Sequence, residues 1–237
     1  MGPTESLWHD IRMAFRVLSR SPGATVLALL SIALGIGLTT GTFAIADAIL
    51  LRPFPLPCPA ELLYAVSTGE DGRPFQYGWP DYEDMVQAGR NVAKMAAYER
   101  RGLMFKAGED GEFILAHAVS ANYFSLLGVR AALGRASVGE IDGRPAAVLG
   151  YRLWQRRFGG DPQIVGKTIL LNQEAFHVSG VMPAEFTGLM RGVATDVWVS
   201  TDAWFDVLGH RAERQQRSGQ FEIVARLKPG ISPESAS

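Results

Sequence analysis

Apolar and polar positions are distributed very unevenly along this chain of 237 residues. Residues 24–46 contain no Asp, Glu, Lys, Arg or His, and no other run approaches the ~18 apolar residues expected of a membrane-spanning helix. A helix of about 23 residues rises roughly 34 Å, against a hydrocarbon core of about 30 Å. The pattern predicts a transmembrane helix, which we place at residues 23–51. The alternative is a buried helix of a soluble domain, which the length and the lack of charge disfavour.

The segment before this span carries two stripes at helical spacing. Apolar residues recur along one face of residues 5–20, and Arg12, Arg16 and Arg20 recur four apart on another. An apolar stripe beside a basic stripe is typical of a helix that lies in the membrane interface. Residues 1–22 are therefore predicted to form a juxtamembrane amphipathic helix, with an ordinary linker helix as the alternative.

The same arginines predict the orientation of the span. After the span the nearest basic residue is Arg52. Because basic residues flank the cytoplasmic end of a span, the N-terminus is predicted to be cytoplasmic and residues after about 52 to lie outside. A cleaved signal peptide is the alternative, but the apolar run is much longer than the roughly 7–15 residues of a signal-peptide core.

Small residues cluster in the second half of the span. Gly37 and Gly41 have the GxxxG spacing that lets two membrane helices approach closely, so they are the predicted packing positions. Asp47 follows the apolar run directly. At that outer end water reaches a carboxylate, which favours a solvated interfacial Asp47 over a functional one.

A proline-rich segment follows the span. Residues 52–60 contain four prolines, Pro53, Pro55, Pro57 and Pro59. Proline lacks the N–H that a helix needs, so an extended connector is predicted here. Two interpretations stay open, a stiff coupling between span and domain or a plain spacer.

Short strand and helix patterns alternate irregularly in residues 61–237. Strands are predicted at residues 62–66, 92–106, 112–119, 146–149, 168–171, 176–182, 197–199 and 221–227, and helices from residue 79 and at residues 122–127, 151–158 and 201–208. Because regular βαβ units are missing, the predicted fold class is α+β. Ser232, Pro233 and Glu234 have the pattern of a new helix start, so we expect the domain to be truncated at its C-terminal end.

Composition excludes several classes of protein. The net charge is −1, which gives no indication of a nucleic-acid partner. Cys58 is the only cysteine, so an intramolecular disulfide is excluded.

No catalytic, cofactor-binding or metal-binding constellation is predicted. The four histidines are widely scattered, and none has HxxxH spacing. His117 and His177 fall in predicted strands, where a structural role is favoured over a catalytic one. Arg152, Arg156 and Arg157 share one predicted helix with Trp154. That helix is interpreted as a solvated face, with docking of a partner as the alternative.

Several segments resemble a known family. Residues 33–57, ALGIGLTTGTFAIADAILLRPFPLP, resemble the first span and exit of MacB-like and FtsX-type ABC transporter permeases. Residues 119–135, 147–183, 196–200 and 224–232 resemble the extracytoplasmic core domain of that family. The resemblance is closest to large duplicated permeases without a fused ATPase. The family usually has a polar amide residue where this chain has Asp47.

The resemblance implies a fold and a set of partners. It implies an inner-membrane protein whose periplasmic domain, residues 61–237, combines a part similar to the porter domains of efflux pumps with a mostly β lobe. It also implies a cytoplasmic ABC ATPase as a separate subunit, a permease dimer, and an adapter or outer-membrane partner as an open alternative. ATP-driven motion would be relayed to the outer domain, which is called mechanotransmission. A single-span adapter or sensor is the alternative function.

Overall fold

The computed structural model describes residues 20–46, 62–65, 67–68, 74–107, 110–190 and 192–231, together with residues 13 and 16. The chain forms two compact units, Met1–Arg52 and Pro53–Ser237. Most of the predicted amphipathic helix 5–20, the connector 52–60 and the helix start at Ser232 lie outside the described residues, as do Asp47 and Cys58.

The described part of the first unit is dominated by one long helix. Helix α1, Pro22–Ala46, begins with a proline, which suits the first turn because the N–H groups there have no intrahelical acceptor. Its segment Pro22–Ala44 has a mean hydropathy of 1.9 and is long and apolar enough to cross a membrane. The predicted apolar helix is therefore confirmed as far as Ala46, and its crossing of the membrane stays a prediction.

The second unit contains short helices and many strands. The strands are β1 Leu62–Ala65, β2 Ser67–Thr68, β3 Pro74–Phe75, β4 Ala93–Ala107, β5 Asp110–Val119, β6 Leu133–Gly134, β7 Glu140–Ile141, β8 Arg144–Leu149, β9 Thr168–Leu171, β10 Glu174–Val181, β11 Val197–Ser200 and β12 Glu222–Leu227. The α-helices are α2 Trp79–Gly89, α3 Tyr123–Leu127, α4 Tyr151–Phe158 and α5 Thr201–Asp206. Two 3₁₀ turns cover Pro162–Ile164 and Arg211–Gln215.

Within the described residues, ten strands form one mixed sheet. Its main order is β1-β12-β4-β5-β11-β8-β10-β6, with β7 beside β8 and β9 bridging β10 and β4. The β5–β11 and β8–β10 pairs are parallel, whereas the other pairs are antiparallel. Strands β2 and β3 form a separate ribbon. The α+β prediction is confirmed.

Both faces of the sheet are buried. In β11, Val197 and Val199 pack into one apolar cluster and Trp198 into another, because alternate side chains point to opposite faces. The first cluster includes residues of α2, α4 and α5, and the second includes those of α3. This three-layer arrangement explains why strands such as β8 consist almost wholly of apolar residues rather than alternating ones.

Strand β4 connects distant parts of the sheet. It pairs with β12 over its first six residues, as far as Tyr98, and with β5 from Tyr98 to Ala107. Strand β9 joins the β12 side of β4 only at Phe105 and Lys106. Between Tyr98 and Phe105, no described strand pairs with that side of β4.

Local signals in the sequence account for most element ends. Asn172 and Gln173 have φ of 48° and 74°, the backbone of a tight hairpin turn between β9 and β10, as predicted. Gly128 ends α3 and Gly159 ends α4, both in the left-handed conformation that glycine adopts without a steric cost.

Several element boundaries differ from the predictions by one or two residues. The helix predicted at residues 201–208 ends at Asp206. Asp81 is the third residue of α2. Gly78 precedes the helix, and its N–H donates to Asp81 Oδ2 at 3.0 Å. The carboxylate thus stabilises the first turn from inside the helix.

Candidate functional site

Gly37 and Gly41 lie on one face of α1. Gly37 and Gly41 are one helical turn apart, and a methyl group added at either one would meet nothing within 4 Å. Two nearby hydroxyls bond inside the helix: Thr39 Oγ1 donates to the Gly35 carbonyl at 2.8 Å, and Thr42 Oγ1 donates to that of Leu38 at 2.8 Å. The face is smooth and apolar, and the packing role of its glycines stays a prediction.

The predicted structural role of His117 fits its surroundings. The imidazole is 1% exposed, and its Nδ1 lies 2.9 Å from Thr195 Oγ1. Burial and, secondarily, the charge of Arg100 lower the pKa of His117 to about 4. His117 is therefore neutral at physiological pH. His177 sits elsewhere, with Nδ1 3.4 Å from the Gly166 carbonyl.

Two arginines of α4 contact neighbouring strands. Arg156 Nη2 donates to Glu112 Oε1 at 2.7 Å and to Asp196 Oδ1 at 3.3 Å. Arg157 Nη2 donates to the Asp110 carbonyl at 3.2 Å. These contacts favour a structural role for the predicted basic cluster, in which Arg152 is also exposed.

A polar cluster that the sequence analysis missed interrupts the core face of β4. Positions 97, 103 and 105 of this face are buried apolar residues, but Glu99 and Arg101 stand between them. Glu99 is 1% exposed, and Arg101 Nη2 lies 2.6 Å from its Oε1. This contact is a buried ion pair, and apart from Arg101 neither Glu99 oxygen has a hydrogen-bond donor among the described residues.

Arg101 also hydrogen-bonds to Glu213, so one guanidinium group contacts two carboxylates. The Nη2 atom donates to Glu213 Oε2 at 2.5 Å. Glu213 also contacts His210 Nδ1 at 2.9 Å and accepts from Trp204 Nε1 at 3.4 Å. The guanidinium of Arg101 lies 4.9 Å from the centre of the Trp204 ring, a cation–π distance. The 3₁₀ turn Arg211–Gln215 and α5 thus fix the Arg101 side chain.

A cavity of about 230 Å³ opens beside this cluster. It lies where β12 has left β4 and β9 has not yet joined it. Besides Glu99, Arg101 and Glu213, its lining comes from the segment before β12: Gln216, Ser218, Gly219, Gln220 and Phe221. Burial raises the pKa of Glu99 to about 7, even though Arg101 acts in the opposite direction. Glu99 is therefore a buried carboxyl group whose pKa lies close to neutral pH.

One sequence signal was available for this site. Alternate residues of a strand share a face, so an acidic and a basic residue at positions 99 and 101 share the face of Leu103 and Phe105. In the part of the chain that the structure describes, no three His, Cys, Asp or Glu side chains are grouped so as to hold a metal ion.

Comparison with protein families gives one match that spans nearly the whole chain. The family described as the MacB-like periplasmic core domain matches residues 25–237. No curated protein sequence matches this chain.

Solved structures show the same fold at low sequence identity. A domain of a permease protein from Porphyromonas gingivalis matches with a TM-score of 0.55 at 17% identity, covering 76% of this chain and 81% of that one. The periplasmic region of MacB from Actinobacillus actinomycetemcomitans matches with a TM-score of 0.54 at 14% identity, covering 74% and 77%. The extracellular domain of the noncanonic ABC-type transporter YknZ from Gram-positive bacteria matches with a TM-score of 0.52 at 15% identity, covering 74% and 86%.

Proposed function

Because this chain belongs to the MacB-like periplasmic core domain family, we propose that it is the membrane permease component of an ABC-type export or mechanotransmission system. The observation that carries the proposal is the extent of the family match, which runs from residue 25 in the apolar helix through the whole α+β domain. Membership places the chain among ABC-type transporter permeases. The direction of transport and the relay of motion are our proposals.

In this proposal the chemistry of ATP belongs to a separate cytoplasmic ATPase subunit. This chain contributes the span and the outer domain, and the ATPase works by moving them. Arg12, Arg16 and Arg20 precede the span, and the nearest basic residue after it is Arg52. This excess of basic residues before the span supports a cytoplasmic N-terminus and a periplasmic domain.

The packing of the outer domain suits a relay of motion. Ten strands belong to one sheet with apolar clusters on both faces, so the domain resists internal bending. A body of this kind moves as a whole when one of its ends is displaced. We therefore propose that ATP-driven movement of the span displaces the domain rather than reshaping it.

We further propose that two copies of the permease pair through their spans. The face of Gly37 and Gly41 supports this pairing, because small residues let two helix backbones approach closely. Adapter or outer-membrane proteins are additional partners in this proposal.

Photocrosslinking from both sides of the membrane tests the ATPase assignment. The full chain, in membranes of the organism that encodes it, carries p-benzoylphenylalanine at His9 in one variant and at Glu185, which is exposed on the domain, in the other. We expect position 9 to crosslink to a polypeptide with a P-loop ATPase sequence, and we expect ATP to change the yield of that crosslink. Position 185 should give no crosslink to the ATPase. If scanning residues 5–20 gives no ATPase adduct while position 185 captures a partner, the single-span adapter replaces the permease assignment.

A further inference from the structure

A groove on the α3 side of the sheet has an apolar floor that belongs to the core. Phe124 of α3 is 3% exposed, and Val129, Ala131 and Ala136 pack against the same apolar cluster. These residues and their neighbours line a cavity of about 390 Å³. This volume falls within the roughly 300–1,000 Å³ that is usual for binding sites. Because the core fixes the floor, the groove exists before any partner arrives.

Two arginines stand at this groove without an acidic partner. Arg130 and Arg135 both line the cavity, and both are exposed to solvent. Neither side chain forms an ion pair or a hydrogen bond with any residue that the structure describes. The groove therefore combines an apolar floor with two accessible positive charges, which is a surface complementary to a ligand that is both acidic and apolar.

The usual internal role for an arginine at this place is already filled. Cations near the C-terminus of a helix often bind its last carbonyl groups. At the end of α3, Arg226 Nε donates to the Leu126 carbonyl at 2.8 Å, and the N–H of Gly128 donates to the Phe124 carbonyl. These groups satisfy the helix end, so the guanidinium of Arg130 is available to an external acceptor.

The segment that carries Arg135 is held firmly against β10. The N–H of Ala132 donates to the Val181 carbonyl and that of Arg135 to the Ser179 carbonyl, both at 2.8 Å. Gly134 lies between them with a φ of 66°, and a Cβ at this position would collide with the Ser179 carbonyl oxygen. With the backbone fixed in this way, binding has to order only the two arginine side chains, which lowers its entropic cost.

We propose that this groove binds an acidic segment of a partner protein, with one carboxylate on each arginine and an apolar side chain between them on the floor. A guanidinium group binds a carboxylate through two parallel N–H bonds. Arg130 and Arg135 lie on either side of β6, so their Cα atoms are at most about 18 Å apart. Two separate anchors match two acidic side chains of one peptide better than the single charged end of a fatty acid. The inference does not depend on the export role.

The test is fluorescence anisotropy of a labelled peptide with the full chain in phosphatidylcholine nanodiscs. The probe is Glu-Leu-Phe-Leu-Glu with both ends blocked. One comparison peptide has glutamine in place of both glutamates, and another has glycine in place of the three apolar residues. We expect saturable binding of the probe with a Kd below about 1 mM, and at least fivefold weaker binding of each comparison peptide. Added salt should weaken binding of the probe, because exposed ion pairs are screened.

Three variants locate the binding site. Arg130→Gln and Arg135→Gln are each expected to weaken binding of the probe at least threefold, and the double variant at least tenfold. Both side chains are exposed, so these variants fold. Arg152→Gln is the matched control, because it removes an exposed arginine from α4, which packs on the opposite face of the sheet. This control should bind the probe as the wild type does.

Two results would overturn the proposal. The first is a wild type that does not bind the probe saturably, or that binds it no better than the double variant does. The second is binding of phosphatidylglycerol vesicles that depends on both arginines when the probe does not compete, since the groove would then be a site for anionic lipid. The crosslinking result for the ATPase is independent of these outcomes.

Discussion

The imidazole of His210 stacks on the indole of Trp204, with ring centres 3.8 Å apart and planes 9° from parallel. Arg101 contacts the same indole ring, and Glu213 contacts all three side chains. Trp204 is only 2% exposed, so it supports these polar groups from within the core. The arrangement of the cavity wall therefore depends on an apolar residue.

Replacing Trp204 tests this dependence. Trp204→Leu leaves a space in the core and removes the stacking surface, so we expect the free energy of unfolding to fall by about 2–4 kcal/mol. Trp204→Phe keeps an aromatic ring and loses the N–H bond to Glu213, with an expected loss of about 1 kcal/mol. Urea unfolding of the detergent-solubilised full chain measures both. Equal losses for the two variants would show that ring stacking contributes nothing.

The free energy of unfolding is expected to depend on pH through Glu99. Its pKa is raised from 4.5 to about 7 in the folded chain, so the folded state binds more protons than the unfolded state between these values. The contribution of Glu99 is therefore fully present below pH 4.5 and is lost as the pH rises to about 7, by an amount on the order of 3 kcal/mol. Urea unfolding from pH 4.5 to pH 8 measures the free energy of unfolding of wild type and of Glu99→Gln. The difference between the two values should change with pH as described. A constant difference would contradict the prediction.

His117 is expected to act with the opposite sign. Its pKa is lowered from 6.5 to about 4, so the folded state binds fewer protons than the unfolded state in this interval. Its contribution is present above pH 6.5 and is lost as the pH falls to about 4, again on the order of 3 kcal/mol. Urea unfolding of His117→Gln should show no pH dependence from residue 117 and should keep the pH dependence that Glu99 causes. In the wild type the two slopes oppose each other between pH 4.5 and 6.5, so only the variants reveal either one clearly.

Close backbone packing at Gly78 gives a steric prediction. A Cβ added there collides with the Gln216 carbonyl oxygen and lies 2.6 Å from Arg217 Cα, and backbone atoms have little room to move. We expect Gly78→Ala to lower the free energy of unfolding by about 2–4 kcal/mol. Gly139→Ala is the control, because its Cβ meets only Ser137 Oγ at 3.9 Å, and we expect it to stay within about 0.5 kcal/mol of wild type. Similar values for the two variants would contradict the steric argument.

The span offers a prediction about association. Gly37→Leu and Gly41→Leu place bulky side chains on the proposed packing face, so we expect each to weaken self-association of the full chain at least several-fold. Gly35→Leu is the matched control, because residue 35 points about 200° away from residue 37 around the helix. Energy transfer between labelled copies in nanodiscs measures association. Loss in the Gly35 variant alone would assign the contact to another face.

The elements that the sequence predicted well are those with a local cause. The absence of charge defines α1, and Asn172 with Gln173 defines the β9–β10 turn, because positive φ at both positions closes a tight hairpin. Glycine ends helices α3 and α4 for a similar local reason. Such signals need only a few neighbouring residues.

The features that were missed depend on distant residues. Strands β2, β3, β6 and β7 are two residues each and exist only through their partners. The candidate cavity was missed for the same reason. Glu99 and Glu213 are far apart in sequence. Strand β12 begins opposite Tyr98, and this pairing places the segment before β12 beside Arg101. Spacing within β4 shows an ion pair on a core face but not the cavity beside it.

Strand β4 also has a mechanical consequence. Fifteen residues in extended conformation span about 50 Å, so a single strand runs from its pairing with β12 at one end to its pairing with β9 near the other. A pull applied at one end reaches the other along covalent bonds, which yield far less than packed side chains. Strand β4 therefore transmits tension along its backbone. Under load, the hydrogen bonds to its neighbouring strands break before the already extended strand lengthens.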